Sequence, residues 1–126
     1  MVEMLIDSYA WIEFFNGTEK GKIIEKILGE RICYTNLTSI AEISEFCSKA
    51  GQDLDKFLEK VMTLSTILSI NQKICMAAGK INFQRKKTIK NWGMMDSVLL
   101  ATALLNNLKI LTGDKHFSDL PNVEMI

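Results

Sequence analysis

The sequence predicts an α/β fold, a three-layer α/β/α sandwich built on a central, mainly parallel sheet, and three observations carry that prediction. Short apolar runs of β-prone residues alternate with stretches whose apolar residues recur at helical spacing, the pattern of a parallel sheet covered by helices. The chain has 126 residues, 48% of them hydrophobic, with one proline. It reads as one domain over residues 1–126, long enough to bury roughly two-thirds of its unfolded surface without disulfide or metal staples. Acidic residues also stand just after two predicted strands, Asp7 after the first and Asp114 after the fourth, where an open parallel sheet places its ligand site.

Met4-Leu5-Ile6 is the first strand, ended by Asp7. Tyr9 to Phe15 suits a short helix stopped by Gly17. Thr18 caps a second helix, in which Ile23, Ile24, Ile27 and Leu28 share a face and Gly29 is the stop. Ile32-Cys33-Tyr34-Thr35 is a β-prone second strand. Thr38 or Ser39 caps the third helix, which buries Ile40, Ile43, Phe46, Cys47 and Ala50 and stops at Gly51. Asp53 begins a fourth helix with Leu54, Phe57, Leu58, Val61 and Met62 at helical spacing, leading into Ile67-Leu68-Ser69-Ile70 as third strand. Asn71 caps a fifth helix with Ile74, Cys75, Ala77, Ala78 and Ile81 on its apolar face. That helix gives way to Arg85-Lys86-Lys87 and a loop at Asn91-Trp92-Gly93. Asp96 stands at the start of a last helix, apolar nearly all round from Val98 to Leu105, as a helix packed on several neighbours should be. Asn106-Asn107 ends it, Lys109 to Thr112 is the fourth strand, Gly113-Asp114 turns the chain, and Val123 to Ile126 forms a short edge strand.

Composition excludes several classes. With 24% charged residues and nearly half the chain apolar, neither disorder nor a fibrous repeat fits. Fifteen Lys and Arg balance fifteen Asp and Glu, which weighs against a basic nucleic-acid module that works by neutralising phosphates. Cys33, Cys47 and Cys75 are odd in number, far apart and outside any Cys-x-x-Cys spacing. They read as reduced core thiols of an intracellular protein rather than a zinc site or disulfide framework. The N-terminus has no basic region before its apolar residues, and no stretch approaches the ~20 apolar residues of a membrane span. A soluble, cytoplasmic protein without membrane contact is the expectation.

The acids are the candidate chemistry. Asp7 and Asp114 follow strands, Glu42 lies one turn into the helix after the second strand, and Asp96 opens the last helix. All four can face one sheet edge. Such a cluster cannot stay fully ionised without a cation, because neighbouring carboxylates raise one another's pKa. Mg²⁺ or Mn²⁺ suits an all-oxygen set with no competing His or Cys cluster. Each acid also has an ordinary reading: Asp96 as an N-cap, Glu42 as a solvated helix residue, Asp114 as a turn residue. Asp7 has the least structural reason to be there, a charge placed straight after a buried strand.

Four segments carry a family resemblance: Val2-Glu3-Met4-Leu5-Ile6-Asp7-Ser8-Tyr9-Ala10-Trp11-Ile12, Thr35-Asn36-Leu37-Thr38-Ser39-Ile40-Ala41-Glu42-Ile43, Asp96-Ser97-Val98-Leu99-Leu100-Ala101-Thr102-Ala103-Leu104, and Ile110-Leu111-Thr112-Gly113-Asp114-Lys115-His116-Phe117. In order and content they resemble the signature segments of PIN-domain ribonucleases, and the length resembles the VapC-type toxins of toxin–antitoxin pairs. The resemblance implies an endoribonuclease dependent on Mg²⁺ or Mn²⁺ that leaves a 5′-phosphate and a 3′-hydroxyl. It carries the catalytic and metal-holding roles onto Asp7, Glu42, Asp96 and Asp114, with Ser8 and Thr112 as supports. It also implies a cognate antitoxin and a second copy of the chain as partners. Phe46, Leu54, Phe57 and Leu58 line either a groove for the antitoxin or the core.

Arg85, Lys86, Lys87 and Lys90 are candidates to grip RNA, although a basic run at a helix end is equally a complement to the helix dipole. Trp92, in a loop beside Asp96, is the better candidate to stack on a base, whereas Trp11 with Phe14 and Phe15 at helical spacing reads as core. Asp119 is a possible extra acid, and His116 reads as structural or surface rather than as a general base. Two rival classes fail on named residues. A receiver domain needs Asp where Asn71 stands and a second acid where Ser8 stands, and a haloacid-dehalogenase-like phosphatase needs Asp at Tyr9. A PIN-fold binding or regulatory subunit without activity is the remaining alternative. On the nuclease reading, zero net charge is an average over an acidic pocket and basic residues elsewhere.

Overall fold

The computed structural model describes residues 2–126. Five parallel strands form one sheet in the order β3-β2-β1-β4-β5: β1 (Met4–Ile6), β2 (Cys33–Asn36), β3 (Thr66–Leu68), β4 (Lys109–Thr112) and β5 (Val123–Met125). Between them run α1 (Ser8–Asn16), α2 (Glu19–Glu30), α3 (Leu37–Ala50), α4 (Leu54–Leu64), α5 (Gln72–Arg85) and α6 (Met94–Leu105), with a 3₁₀ turn at Lys115–Phe117. The chain builds leftward from β1 to β3, then crosses back to lay β4 on the other side of β1. Because parallel crossovers share one hand, that reversal moves the last two helices to the opposite face.

Alternation along the strands divides the interior accordingly. Met4 and Ile6 of β1 point into a core filled by Trp11, Ile24, Ile43, Phe57 and Val61, from α1 to α4. Leu5 points the other way, with Ile110, against Leu99, Leu100 and Ala103 of α6. α5 joins that second layer by packing Ile74 and Ala78 on Val98 and Ala101. The sandwich and its parallel sheet are therefore as the hydrophobic pattern predicts.

Each layer holds a buried tryptophan whose indole N–H starts a chain of hydrogen bonds. Trp11 Nε1 donates to Thr35 Oγ1 (3.1 Å), and Ser65 Oγ donates to the Val61 carbonyl (2.7 Å). With Ser65's only proton so used, Thr35 must donate across the 2.7 Å that separates the two hydroxyls. The chain of bonds leaves no buried donor idle, which matters because an unmet one costs roughly 1–3 kcal/mol.

Several boundaries differ from the sequence reading. Ile32 is 59% exposed and β2 begins at Cys33. Asn36, not Thr38 or Ser39, occupies the cap of α3, its Nδ2 donating to Thr38 Oγ1 (2.8 Å). Strand and helix thus join without a loop. α2 runs through Gly29 to Glu30, since Arg31 N–H still reaches the Ile27 carbonyl. β3 ends at Leu68, two residues early. Ile23, Ala50, Met62, Cys75, Leu104 and Leu105 are exposed rather than core, because each stands off its helix's inward stripe or at the helix end. Of the three thiols only Cys33 and Cys47 are interior.

α1 and α2 meet at Gly21, where an added Cβ would overlap the Glu13 carbonyl oxygen of the neighbouring backbone. Backbone cannot rotate aside as a side chain can. Gly21→Ala gains ~1 kcal/mol of helix propensity but must push two helices apart, so a net loss of about 1–3 kcal/mol is expected. Urea unfolding at constant m-value measures it; an unchanged or raised midpoint would refute the close approach.

Candidate functional site

β1 and β4 lie side by side in the sheet yet their outgoing chains leave in opposite directions, which opens a crevice beyond their carboxyl ends. Asp7 emerges there. Its main-chain N–H bonds to the Leu111 carbonyl (3.1 Å), continuing the ladder of Ile6 with Leu111, and this sets Asp7 beside Thr112. The carboxylate is 7% exposed. Oδ1 caps α1 by accepting from Ser8 N–H (2.7 Å), and Oδ2 accepts from Thr112 Oγ1 (2.7 Å).

The other acids approach from separate elements. Glu42, in the second turn of α3, has Oε1 3.1 Å from Ser8 Oγ, which also stands 3.3 Å from Asp7 Oδ1. One hydroxyl proton serves two carboxylates, so the pair shares a donor that can satisfy only one at a time. Asp96 is in the first turn of α6; it is not the cap residue, which is Gly93, but its Oδ2 accepts from Gly93 N–H (3.0 Å). Asp114 opens the 3₁₀ turn, with its N–H donating to Thr112 Oγ1 (3.0 Å) and its Oδ1 accepting from His116 N–H (2.9 Å). Gly113 before it lies against the Tyr9 ring so closely that any Cβ would overlap it.

The structure thus brings Asp7, Ser8, Glu42, Asp96, Thr112 and Asp114 to one edge. A buried polar residue at the same strand ends that the sequence pattern did not single out is Asn36, the fully buried last residue of β2. Its Oδ1 lies 3.3 Å from Thr102 Oγ1, whose single proton is shared with the closer Val98 carbonyl (2.7 Å), which sets the start of α3 against α6. A polar residue straight after an apolar strand, the signal that singled out Asp7, could have found it.

Two candidates for RNA contact are corrected. Trp92 is 2% exposed, its ring packed on Phe117 (4.9 Å between centroids) and its Nε1 donating to Ser97 Oγ (2.7 Å), so no face is open to a base. Arg85 is turned inward as well: it lies over Trp92, 4.2 Å from the ring centroid, and forks Asp119 at 2.9 and 3.0 Å. Asp119 is thereby an ion-pair partner, its carboxyl held below the ordinary range by those hydrogen bonds, and does not join the acidic edge. Lys86, Lys87 and Lys90 remain exposed. His116 Nδ1 lies 3.2 Å from Asp114 Oδ1.

A family profile for the PIN domain matches residues 4–123. The chain belongs to the PIN-domain family. Its fold is similar to that of a toxin–antitoxin complex chain from Klebsiella pneumoniae, at TM-score 0.77 and 22% identity over 97% of this chain and 96% of that one. VapBC2 from Rickettsia felis, bound to a DNA fragment of its promoter, matches at TM-score 0.77 and 13% identity over 99% and 98%. VapC20 from Mycobacterium tuberculosis, described as a sarcin–ricin loop cleaving toxin, matches at 0.75 and 10% over 94% and 95%. At such identities the likeness is one of fold. No curated protein matches the chain in sequence. No helix among the described residues is long and apolar enough to cross a membrane.

The electrostatics of this PIN domain follow from crowding acids into a partly dry crevice. Burial, more than any neighbour, pushes the Asp7 carboxyl up to about 6, against the pull of Thr112 and Ser8, with Asp114 and Asp96 adding to the rise. Burial and then Asp7 push Glu42 up to about 7. Asp96 is also raised, first by burial and then by Asp114, while Gly93 N–H, His116 and Arg85 oppose the rise. Among the described residues no three Asp, Glu, His or Cys side chains already stand at metal-holding distance. The acids are linked electrostatically instead: Asp7 feels Asp114 and Asp96, Glu42 feels Asp7 and Asp96, and Asp96 feels Asp114, and carboxylate oxygens are donors of the kind hard divalent cations take.

Because Asp7 rises from 3.8 to about 6, the folded chain keeps a proton that the unfolded chain has released between those values. The stability this supplies is complete below about pH 4 and lost as pH climbs through about 6. Ionised Asp7 then costs at most roughly 3 kcal/mol at neutral pH. Asn keeps the cap and cannot ionise. Without divalent metal, Asp7→Asn is therefore expected to gain ~1–2 kcal/mol at neutral pH, shrinking toward pH 4. Urea midpoints at the two pH values test this, and a variant less stable at both would overturn it.

Proposed function

We propose that this PIN domain is an endoribonuclease dependent on Mg²⁺ or Mn²⁺ and the toxin of a toxin–antitoxin pair. The observation that carries the reading is Asp7, a desolvated carboxylate held at both oxygens in the β1/β4 crevice with three further acids within electrostatic reach. Nothing in the packing of β1 requires a charge there. The donor chemistry fits a hard divalent cation, and its charge would offset the burial first, and the mutual repulsion second, that raise Asp7, Glu42 and Asp96.

Asp7, Asp96, Asp114 and Glu42 would hold the ion. When bound, a divalent cation supplies Lewis acidity, both to make water nucleophilic near neutral pH and to offset charge building on the phosphoryl oxygens. Thr112 and Ser8 fix the direction in which Asp7 presents its oxygens. Without the ion, burial and Asp7 push the Glu42 carboxyl up to about 7, and its Oε1 accepts from the Ser8 hydroxyl (3.1 Å). The four acids repel phosphate until neutralised, which makes RNA approach conditional on the ion. Exposed Lys86 and Lys87, at the end of α5, are left to steer the RNA backbone.

For the antitoxin we propose the hollow of about 240 Å³ between the end of α1, α3 and α4, where Phe15, Phe46 and Phe57 form the floor and Lys56 and Lys60 the rim. An apolar anchor flanked by acids fits it. A second copy of the chain is the other proposed partner, readable by size-exclusion mass measurement. A small reading frame beside the gene that encodes a DNA-binding protein would support the pairing.

The purified full chain, free of antitoxin, is expected to cut single-stranded RNA with Mg²⁺ or Mn²⁺ and to stop with EDTA. Asp96→Asn should lower cleavage on the order of 10²-fold or more while circular dichroism stays unchanged. If neither metal supported cleavage over a broad RNA panel, the chain would be a binding or regulatory subunit instead.

A further inference from the structure

Two of the four acids come from separate elements, Asp96 on α6 and Asp114 on the turn after β4, and one side chain engages the surroundings of both. Arg85 Nη2 donates to the His116 carbonyl (2.7 Å), within the turn whose first residue is Asp114. Its guanidinium lies over Trp92, 4.2 Å from the ring centroid, and Trp92 in turn packs on Phe117 of that turn and donates to Ser97, the residue after Asp96. Ser97 Oγ in turn donates a hydrogen bond to Asn82 Oδ1 on α5 (3.0 Å). Gly93, next to Trp92, supplies the N–H that holds Asp96 Oδ2.

The cation is not a surface group. Its side chain is 14% exposed, and Nε is buried without a hydrogen-bond partner, a cost that an Arg merely decorating a helix end would avoid. The guanidinium geometry explains the choice of residue, since only a planar fork can pair with a carboxylate, reach a carbonyl and stack on an indole at once.

We propose that Arg85, stacked on Trp92, is a positioning residue that sets how Asp96 stands to Asp114, and thereby how tightly the acidic edge holds a divalent cation. The proposal rests on the metal-dependent reading above. Arg85 touches neither RNA nor ion. Lysine in its place keeps the charge but loses the fork and the planar group over the indole.

Calorimetric titration of the full chain with Mn²⁺ is the test, in the absence of RNA, alongside kinetics at saturating metal. Arg85→Lys is expected to raise the Mn²⁺ dissociation constant about tenfold, in the range seen for partners of metal ligands. Excess Mn²⁺ should restore kcat, with KM for RNA unchanged. Trp92→Phe, which keeps a ring but removes the bond to Ser97, should shift affinity in the same direction. If Arg85→Lys does not fold, Asp119→Asn releases one side of the fork from the surface and should give a smaller shift of the same sign. An unchanged Mn²⁺ affinity with a raised KM would make Arg85 an RNA contact and overturn the proposal. Unchanged affinity with only a lower melting temperature would make it a packing residue, with the same consequence. A wild-type chain that binds no Mn²⁺ would instead remove the metal-dependent reading itself, whereas wild-type binding with indifferent variants removes only the role of Arg85.

Discussion

Asp7 sits where two parallel strands end together, and the bond it accepts from Thr112 is the constraint on which the acidic edge depends. The register of β1 with β4 places the two residues in contact, so neither strand can slip without breaking it. Thr112 also accepts from Asp114 N–H, which chains the turn after β4 to the residue after β1. Ser8 extends the chain to Glu42. Hydrogen bonds to the ionised form lower the Asp7 pKa, yet burial outweighs them. A carboxylate kept against that balance is costly to the metal-free fold, a cost that the proposed cation would offset.

The two tryptophans show the same physical device on opposite faces of the sheet. Each is buried in an apolar layer, and each sends its indole N–H through a hydroxyl to a further acceptor, Trp11 by way of Thr35 and Ser65, Trp92 by way of Ser97 and Asn82. A buried N–H needs a partner, and the partner chosen joins neighbouring elements. On the α1 side the chain of hydrogen bonds couples β2 to the end of α4. On the α6 side it couples α5 to the helix that bears Asp96, which is why inward burial of Trp92 and Arg85 bears on the acids rather than on RNA.

Charge balance takes a different meaning once located. Fifteen basic and fifteen acidic side chains cancel in the sum, but four acids gather at one edge while Arg85, a cation that the basic run advertised, is turned inward and paired with the surface acid Asp119. Lys86, Lys87 and Lys90 are left on the surface. Net charge is silent on this because it carries no positions.

Hydrophobic periodicity was enough to read the sheet, its parallel sense and the two helical layers, since burial of β1 and the inward stripes of the helices follow directly from where apolar residues recur. The strand-end positions of Asp7 and Asp114 were legible for the same reason. Helix ends were read less well at Gly29 and at Asn36, where a local bond decides the boundary and periodicity does not. The fates of Trp92 and Arg85 could not be read at all. Both look exposed in a polar loop and a basic run, and both are drawn inside because Phe117, Ser97 and Asp119, distant or off-pattern in sequence, complete their packing and hydrogen bonds. The sequence by itself determined the fold class and which acids stand at strand and helix ends; only the tertiary structure decided which charges meet and which are spent on one another, because such pairing depends on contacts between segments that no local pattern encodes.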